Sequence, residues 1–372
     1  MPGMSAAVAA TATGNGEPAW RIGFRSLEVE HAEPVALPVV GRIPPECFGT
    51  LYRNGPARHV VFGEPLQHWF DGDGMIHAFV LGPDGASYRN RFVASAGREA
   101  ENAARHRIFR TFSMPPAGGL LTRYLRRAKG KNAANTNVLM HAGTLFALWE
   151  GGKPTRLDPV TLATLGEDDL DGLLREDEGC SAHPRVDART GEWWNFTSLF
   201  GRENRTAVLR RDAARRTTRV ADLLMPHSSM AHDFALTDRY AVLLYCPMVL
   251  PRIPILLMLG QRGFAQCLSW KPELGTKIVL QPRTGGAPRM VSTDPRYIYH
   301  VIHSFDDGDD VVVDVCAYTD DAVMRTHREV LFGPIHTPTM PRHRCIMGTW
   351  VRSETPAARH HSASTTMPMR PR

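Results

Sequence analysis

The stretch Ala-His-Asp-Phe-Ala-Leu-Thr-Asp-Arg-Tyr-Ala-Val-Leu-Leu-Tyr, residues 231–245, sets the reading of the whole chain. A histidine, His232, is followed by a polar turn around Thr237–Arg239 and then by an unbroken apolar run at 240–245. The same phrase occurs twice more. His183 leads through Asp-Ala-Arg-Thr-Gly-Glu to the run at 193–198, and His303 leads through Asp-Asp-Gly-Asp-Asp to the run at 311–315. The offsets from histidine to run are 10, 8 and 8, and the histidines are spaced by 49 and 71 residues. A propeller blade takes roughly 40–50 residues. Equivalent positions of successive blades point toward a common axis, where three imidazoles would make a metal site. Sixteen His in 372 residues also generate chance spacings, so the residues alone leave both readings open.

Working outward, the text from about Trp20 to Tyr318 consists of short runs of four to eight residues, rich in Val, Ile, Leu and aromatics. The runs at 76–81, 87–93 and 144–149 are bounded like the others by Gly, Asp, Pro or Asn, which is the signature of strands and turns. Helical periodicity is scarce, and residues 120–128 (LLTRYLRRA) form the best short amphipathic helix. Many short strands imply an all-β sandwich, barrel or propeller, and the histidine phrase selects the propeller.

Hydrophobic residues make up 43% and charged residues 22%, so the chain is globular rather than disordered. The net charge of +6 does not indicate a nucleic-acid partner. Residues 325–372 hold 8 Arg against Glu329 and Glu354, a surplus of 6, which leaves 36 basic and 36 acidic residues before them. Six Cys without a CxxC pair suit a reduced cytoplasm better than a disulfide framework. Residues 1–18 lack a basic n-region and are expected to form a disordered leader. The apolar stretch 247–259 is too short to span a bilayer and contains Pro251, Arg252 and Pro254.

Several conspicuous residues have plainer readings. Asp71-Gly72-Asp73-Gly74 opens like a calcium loop, but Met75 stands at the next ligand position, and a tight turn is expected. The cluster of Asp306, Asp307, Asp309 and Asp310 around Gly308 reads as a solvated hairpin. Arg210, Arg211, Arg215, Arg216 and Arg219 read as a solvated turn, and His68 and His77 as structural.

Eight segments in order carry a family resemblance: GTLYRNGP (49–56), HWFDGDGMIHAF (68–79), YRNRFV (88–93), NTNVLMHAGTLFALWEGGKP (135–154), CSAHPRVD (180–187), HSSMAHDFALTD (227–238), LSWKPELGT (268–276) and HVIHSFDDGDDVVVDVC (300–316). Through them the chain resembles the carotenoid cleavage oxygenases, which include carotenoid, apocarotenoid and lignostilbene dioxygenases. The resemblance implies an all-β, seven-bladed β-propeller with one Fe(II) on its axis. It assigns His183, His232 and His303 as metal ligands and Glu150 as a carboxylate bonded behind one of them. It implies oxidative cleavage by O2 of a conjugated C=C bond in a lipophilic carotenoid, apocarotenoid or stilbene. Members of that family with lipophilic substrates carry nonpolar patches at the tunnel mouth that meet the membrane surface; Met248, Val249, Leu250, Ile255, Leu256 and Leu257, and the segment 120–131, are read either as such a patch on a cytoplasmic protein or as buried in the tunnel wall or propeller cap.

The resemblance places a fourth ligand in a His-Gly pair, and the sequence contains none. His327, His336, His343, His360 and His361 lie beyond the last matching segment in unrelated context. The expectation is therefore a propeller domain at 19–332 that lacks its closing C-terminal blades, followed by a disordered, non-native tail at 333–372 produced by truncation or a frameshift near Leu331. Two other readings follow from a three-ligand site: a non-catalytic propeller fragment, and a three-His zinc hydrolase.

Overall fold

A computed structural model describes residues 19–127, 130–176, 178–200, 203–324 and 346–350. Its regular elements are mostly strands, laid out as five main antiparallel sheets in chain order, with two small two-stranded ribbons (Val60–Val61 with Glu64–Pro65, and Met248–Val249 with Ser269–Trp270) and short helices between them. The first sheet orders its strands His31–Leu37, Gly85–Phe92, Asp73–Gly82 and Gly49–Arg58. The second is a meander of Asn137–His141, Thr144–Leu148, Thr155–Leu157 and Thr164–Glu167. In the third, Gly179–Cys180 and Arg185–Val186 both pair with Trp193–Ser198, followed by Asn204–Arg211 and Thr217–Met225. The fourth runs Phe234–Leu236, Tyr240–Tyr245, Thr276–Pro282 and Arg289–Thr293. The fifth contains Tyr297–Asp307, Asp310–Tyr318 and Ile346–Trp350.

The core explains why the strands read as continuous apolar text. Apolar clusters fill the gap between each sheet and the next. Ile76 and Ala78 of the first sheet meet Leu145, Ala147 and Leu157 of the second. From the same second-sheet strand, Phe146 and Leu148 face the other way, onto Trp193, Ala207 and Leu209. Trp194, Phe196 and Val208 then meet Phe234, Ala241 and Leu243, while Val242 and Leu244 turn to Tyr297, Val311, Val313 and Val315. Successive side chains of a strand point to opposite faces. A sheet covered on both sides therefore needs apolar residues at every position, as at Tyr240–Tyr245 (YAVLLY), instead of the alternation of a one-sided sheet. Asp310–Tyr318 alternates buried and half-buried positions, which marks its sheet as covered on one face.

The sequence boundaries hold closely. The runs expected at 193–198 and 240–245 are strands with those limits, and the helix expected at 120–128 spans Leu120–Arg126. Ile346–Trp350, within the stretch expected as a tail, pairs with Asp310–Tyr318. The leader at 1–18, the rest of 333–372 and the histidines from His327 onward lie outside the described residues. The Asp71 region is a tight turn: Asp71 accepts hydrogen bonds from the His68 and Ser113 amides. The arginine run is neutralised in place, with Arg211 on Asp168, Arg216 on Asp212 and Arg219 on Glu178. His68 caps a helical turn by accepting from the Phe70 amide, and His77 bonds the Tyr88 hydroxyl.

Candidate metal centre

Three imidazoles converge where the leading strands of the third, fourth and fifth sheets come together. His183 lies between the two short strands that open the third sheet, His232 lies just before Phe234–Leu236, and His300 lies within Tyr297–Asp307. Their ligand nitrogens all fall within 4.8 Å of one another. The Nε2 atoms of His183 and His232 are 2.9 Å apart, and those of His232 and His300 are 3.3 Å apart. Two nitrogens each about 2.1 Å from one ion, at near-tetrahedral or octahedral angles, stand roughly 3.0–3.4 Å apart, so these two separations fit a shared cation.

The protonation pattern fits as well. Glu150, just past the second-sheet strand Thr144–Leu148, bonds His232 Nδ1. The carboxylate keeps a proton on Nδ1, so that in the neutral ring Nε2 presents its lone pair toward the other two rings. Burial opposes charge on His232, but Glu150 more than offsets it and raises the pKa. Burial, reinforced by His232, lowers the His183 pKa to about 4 and also lowers that of His300. Two of the three rings are thus neutral donors at physiological pH. Ser181 fixes the local backbone, donating to the His232 carbonyl at 3.2 Å and accepting from the His183 amide at 3.2 Å. Tyr299 sets its ring edge-on to His232 at 5.1 Å. His232 is buried and His300 exposed, so the trio is reachable from one side.

Two sequence expectations need correction. His303 does not join the trio; its ring lies beside Phe305, and His300 takes the third position. The equal-offset argument assumed straight strand pairing. Between Tyr297 and Asp307 the register shifts twice, at Ile298/His300 and at Val301/His303, so eleven residues face nine. Bulges lengthen the count between histidine and turn. The sequence did hold a signal, because His300 closes the apolar Tyr-Ile-Tyr run whereas His303 opens a polar one. The expected surface patch is also only partly exposed. Met248, Val249, Leu250 and Leu257 are buried, and Ile255 and Leu256 are exposed. Met248–Val249 is consumed by pairing with Ser269–Trp270.

A family model described as retinal pigment epithelial membrane protein matches residues 24–352. The chain belongs to that family, the carotenoid cleavage oxygenases. It is 36% identical over 288 residues to the apocarotenoid-15,15'-oxygenase of Synechocystis, an alignment covering 75% of this chain and 58% of that protein. It is 29% identical over 223 residues to lignostilbene-alpha,beta-dioxygenase isozyme III of Sphingomonas paucimobilis, covering 59% of this chain and 44% of the relative. Cobalt-substituted Synechocystis apocarotenoid oxygenase superposes with a TM-score of 0.73 at 34% identity, over 81% of this chain and 64% of that one. The chain therefore spans less than two thirds of these relatives' length.

Glycine spacing serves the centre too. A Cβ on Gly179 would stand 2.4 Å from the Glu150 carbonyl oxygen, so the opening strand of the third sheet can lie against Glu150 only without a side chain. Gly179→Ala is expected to displace the Glu150 backbone, destabilising the fold by about 1–3 kcal/mol. The same variant should weaken metal uptake. Thermal melting and metal titration of the variant against the parent check both.

Proposed function

We propose that this chain is a carotenoid-cleavage-type dioxygenase that holds one Fe(II) through His183, His232 and His300, with Glu150 fixing His232. The convergence of three imidazole Nε2 atoms at cation spacing, one of them oriented by a carboxylate, supports this reading most directly. The substrate class is a conjugated alkene of the carotenoid, apocarotenoid or stilbene kind, and the reaction converts C=C plus O2 into two C=O products. Iron at this site supplies the activation of O2 for insertion of both atoms across the double bond. Imidazole donors suit Fe(II), Zn(II) and Cu alike, so iron is assigned from the family's chemistry.

The protein's own part is ligand orientation and exclusion of water. Glu150 keeps the His232 proton on Nδ1, and the Tyr299 ring packs against the buried imidazole. The test is O2 uptake by the full chain, reconstituted anaerobically with Fe(II), in the presence of an apocarotenal or a hydroxystilbene. Two carbonyl products in stoichiometry with O2 are expected. Fe(II) binding without O2 consumption would establish a non-catalytic fragment instead, and zinc-dependent, O2-independent hydrolysis would establish the hydrolase.

A cytoplasmic location with peripheral membrane contact belongs to the same proposal. Among the described residues no helix is long and apolar enough to cross a membrane. The helices Leu120–Arg126 and Ile255–Met258 lie side by side, with Gln261 donating to the Leu120 carbonyl and Gly260 close against Arg123. Between them they expose Leu120 and Leu121 at 72%, Leu125 at 69% and Ile255 at 59%. Arg123 and Arg126 lie on the first helix and Arg127 directly follows it. Exposed apolar side chains interleaved with arginines favour an anionic lipid surface. The triple variant Leu121→Ser, Leu125→Ser, Ile255→Ser is expected to lose at least tenfold in partitioning to phosphatidylserine vesicles, because each inserted side chain is worth about 1.5 kcal/mol or more when fully buried. Vesicle sedimentation measures it, and unchanged partitioning would remove the membrane proposal.

A further inference from the structure

We propose that the ion pair between Arg185 and Asp233 is the positioning device that holds the three imidazoles at metal spacing; this rests on reading the trio as a metal site. The histidines belong to three different sheets, and ligand atoms must be held to within about half an ångström for a metal site to keep its affinity. One carboxylate connects all three. Asp233 directly follows His232. Its two oxygens accept from Arg185 Nη2 at 2.8 and 2.7 Å, and Arg185 lies two residues after His183. Asp233 Oδ2 also accepts from the backbone amide of Val301 at 2.8 Å, and Val301 directly follows His300. Arg185 Nε donates to the Phe234 carbonyl at 3.0 Å, which gives the guanidinium a second hold on the His232 strand.

Burial strengthens the case. Asp233 is 4% exposed and the Arg185 side chain 33%, and an ion pair so placed is often no more stabilising than two well-packed apolar side chains. Stability alone therefore gives little reason for charges here. What the pair adds is direction, since a carboxylate that accepts from Arg185 of the third sheet and from the Val301 amide of the fifth fixes the relative placement of three strands as an apolar contact does not. The other ion pairs that bridge these sheets each join only two of them. Arg283–Asp187 and Arg189–Asp238 tie the third sheet to the fourth, and Arg239–Asp306 ties the fourth to the fifth.

The experiment titrates Co(II) alone into the metal-free full chain, following both affinity and the visible d–d bands. Arg185→Lys and Asp233→Asn are compared with Arg283→Lys, which alters a cross-sheet pair away from the trio. Outer partners of metal ligands typically contribute about 10–100-fold in affinity. Arg185→Lys and Asp233→Asn should each lose that factor and shift the d–d bands, while Arg283→Lys keeps the parent affinity and spectrum at a comparable metal-free melting temperature. Parent-like affinity and bands in Arg185→Lys would overturn the proposal while leaving the metal site standing. So would an equal loss in Arg283→Lys, which would make the effect one of general sheet coupling. Should Asp233→Asn fail to fold, Arg185→Lys, which retains the charge but not the fork, decides alone. A parent chain that takes up no Co(II) would overturn the metal reading itself, and the proposal with it.

Discussion

His300→Ala is expected to abolish high-affinity divalent metal uptake, whereas His303→Ala should leave it unchanged. Removing one of three ligands is more severe than removing an outer partner, so the loss should exceed the roughly 10–100-fold that an outer partner contributes. Metal added to the parent should raise its stability by about 2.7 kcal/mol at a free concentration one hundred times Kd, and this stabilisation should vanish in His300→Ala. His303→Ala should retain it, because the His303 ring packs beside Phe305 outside the trio. Melting curves with and without Co(II) or Fe(II) report the difference without relying on turnover. The reverse ranking of the two variants would mean that the fifth-sheet strand is shifted in register from the arrangement described here.

These two histidines show where sequence reasoning reached and where it stopped. The strand positions were legible because two-sided sheets leave a one-dimensional trace, runs rich in apolar residues between polar turns, and Tyr240–Tyr245 is apolar at every position. The pairing of Glu150 with a ligand histidine was assigned through resemblance alone, and the structure places that carboxylate on His232 Nδ1. The third histidine was not legible from spacing. A bulge is a property of two paired strands, and a count along one strand does not record the extra residues at Tyr299 and Ile302. The same limit governs the apolar stretch 248–257. Composition identifies it as apolar, but pairing of Met248–Val249 with Ser269–Trp270 decides which part is buried. Asp233 carried no sequence signal of its own role, because its three donors come from residues 48 and 68 positions away and from its own neighbour.

Lys131→Met should be among the most destabilising single changes in the described fold. Lys131 Nζ sits 2.7 Å from Asp73 and 2.8 Å from Glu101, and all three side chains are at most 3% exposed. Asp73 begins a strand of the first sheet and Glu101 lies on the helix Ala96–Ala104, so the ammonium joins helix to sheet from a connecting segment. Gly97 leaves room for its stem, since a Cβ there would stand 2.5 Å from Lys131 Cγ. Replacing the ammonium by a thioether of similar length keeps the packing but removes the close cation from both carboxylates, leaving Asp73 with Arg58 at 3.6 Å and Glu101 with the Ile108 and Phe109 amides. Breaking such a pair from one side costs about 3–5 kcal/mol. The pH dependence separates this cause from simple loss of packing. Burial works against the Lys131 charge, but Asp73 and Glu101 outweigh it and raise the pKa above the ordinary lysine value. The parent therefore has the full contribution below about pH 10.4, the unperturbed lysine value, and loses it as the pH rises through the higher folded-state value. Lys131→Met should lack that alkaline loss. Urea unfolding of both proteins from neutral to alkaline pH measures the difference, and a deficit independent of pH would assign the effect to packing alone.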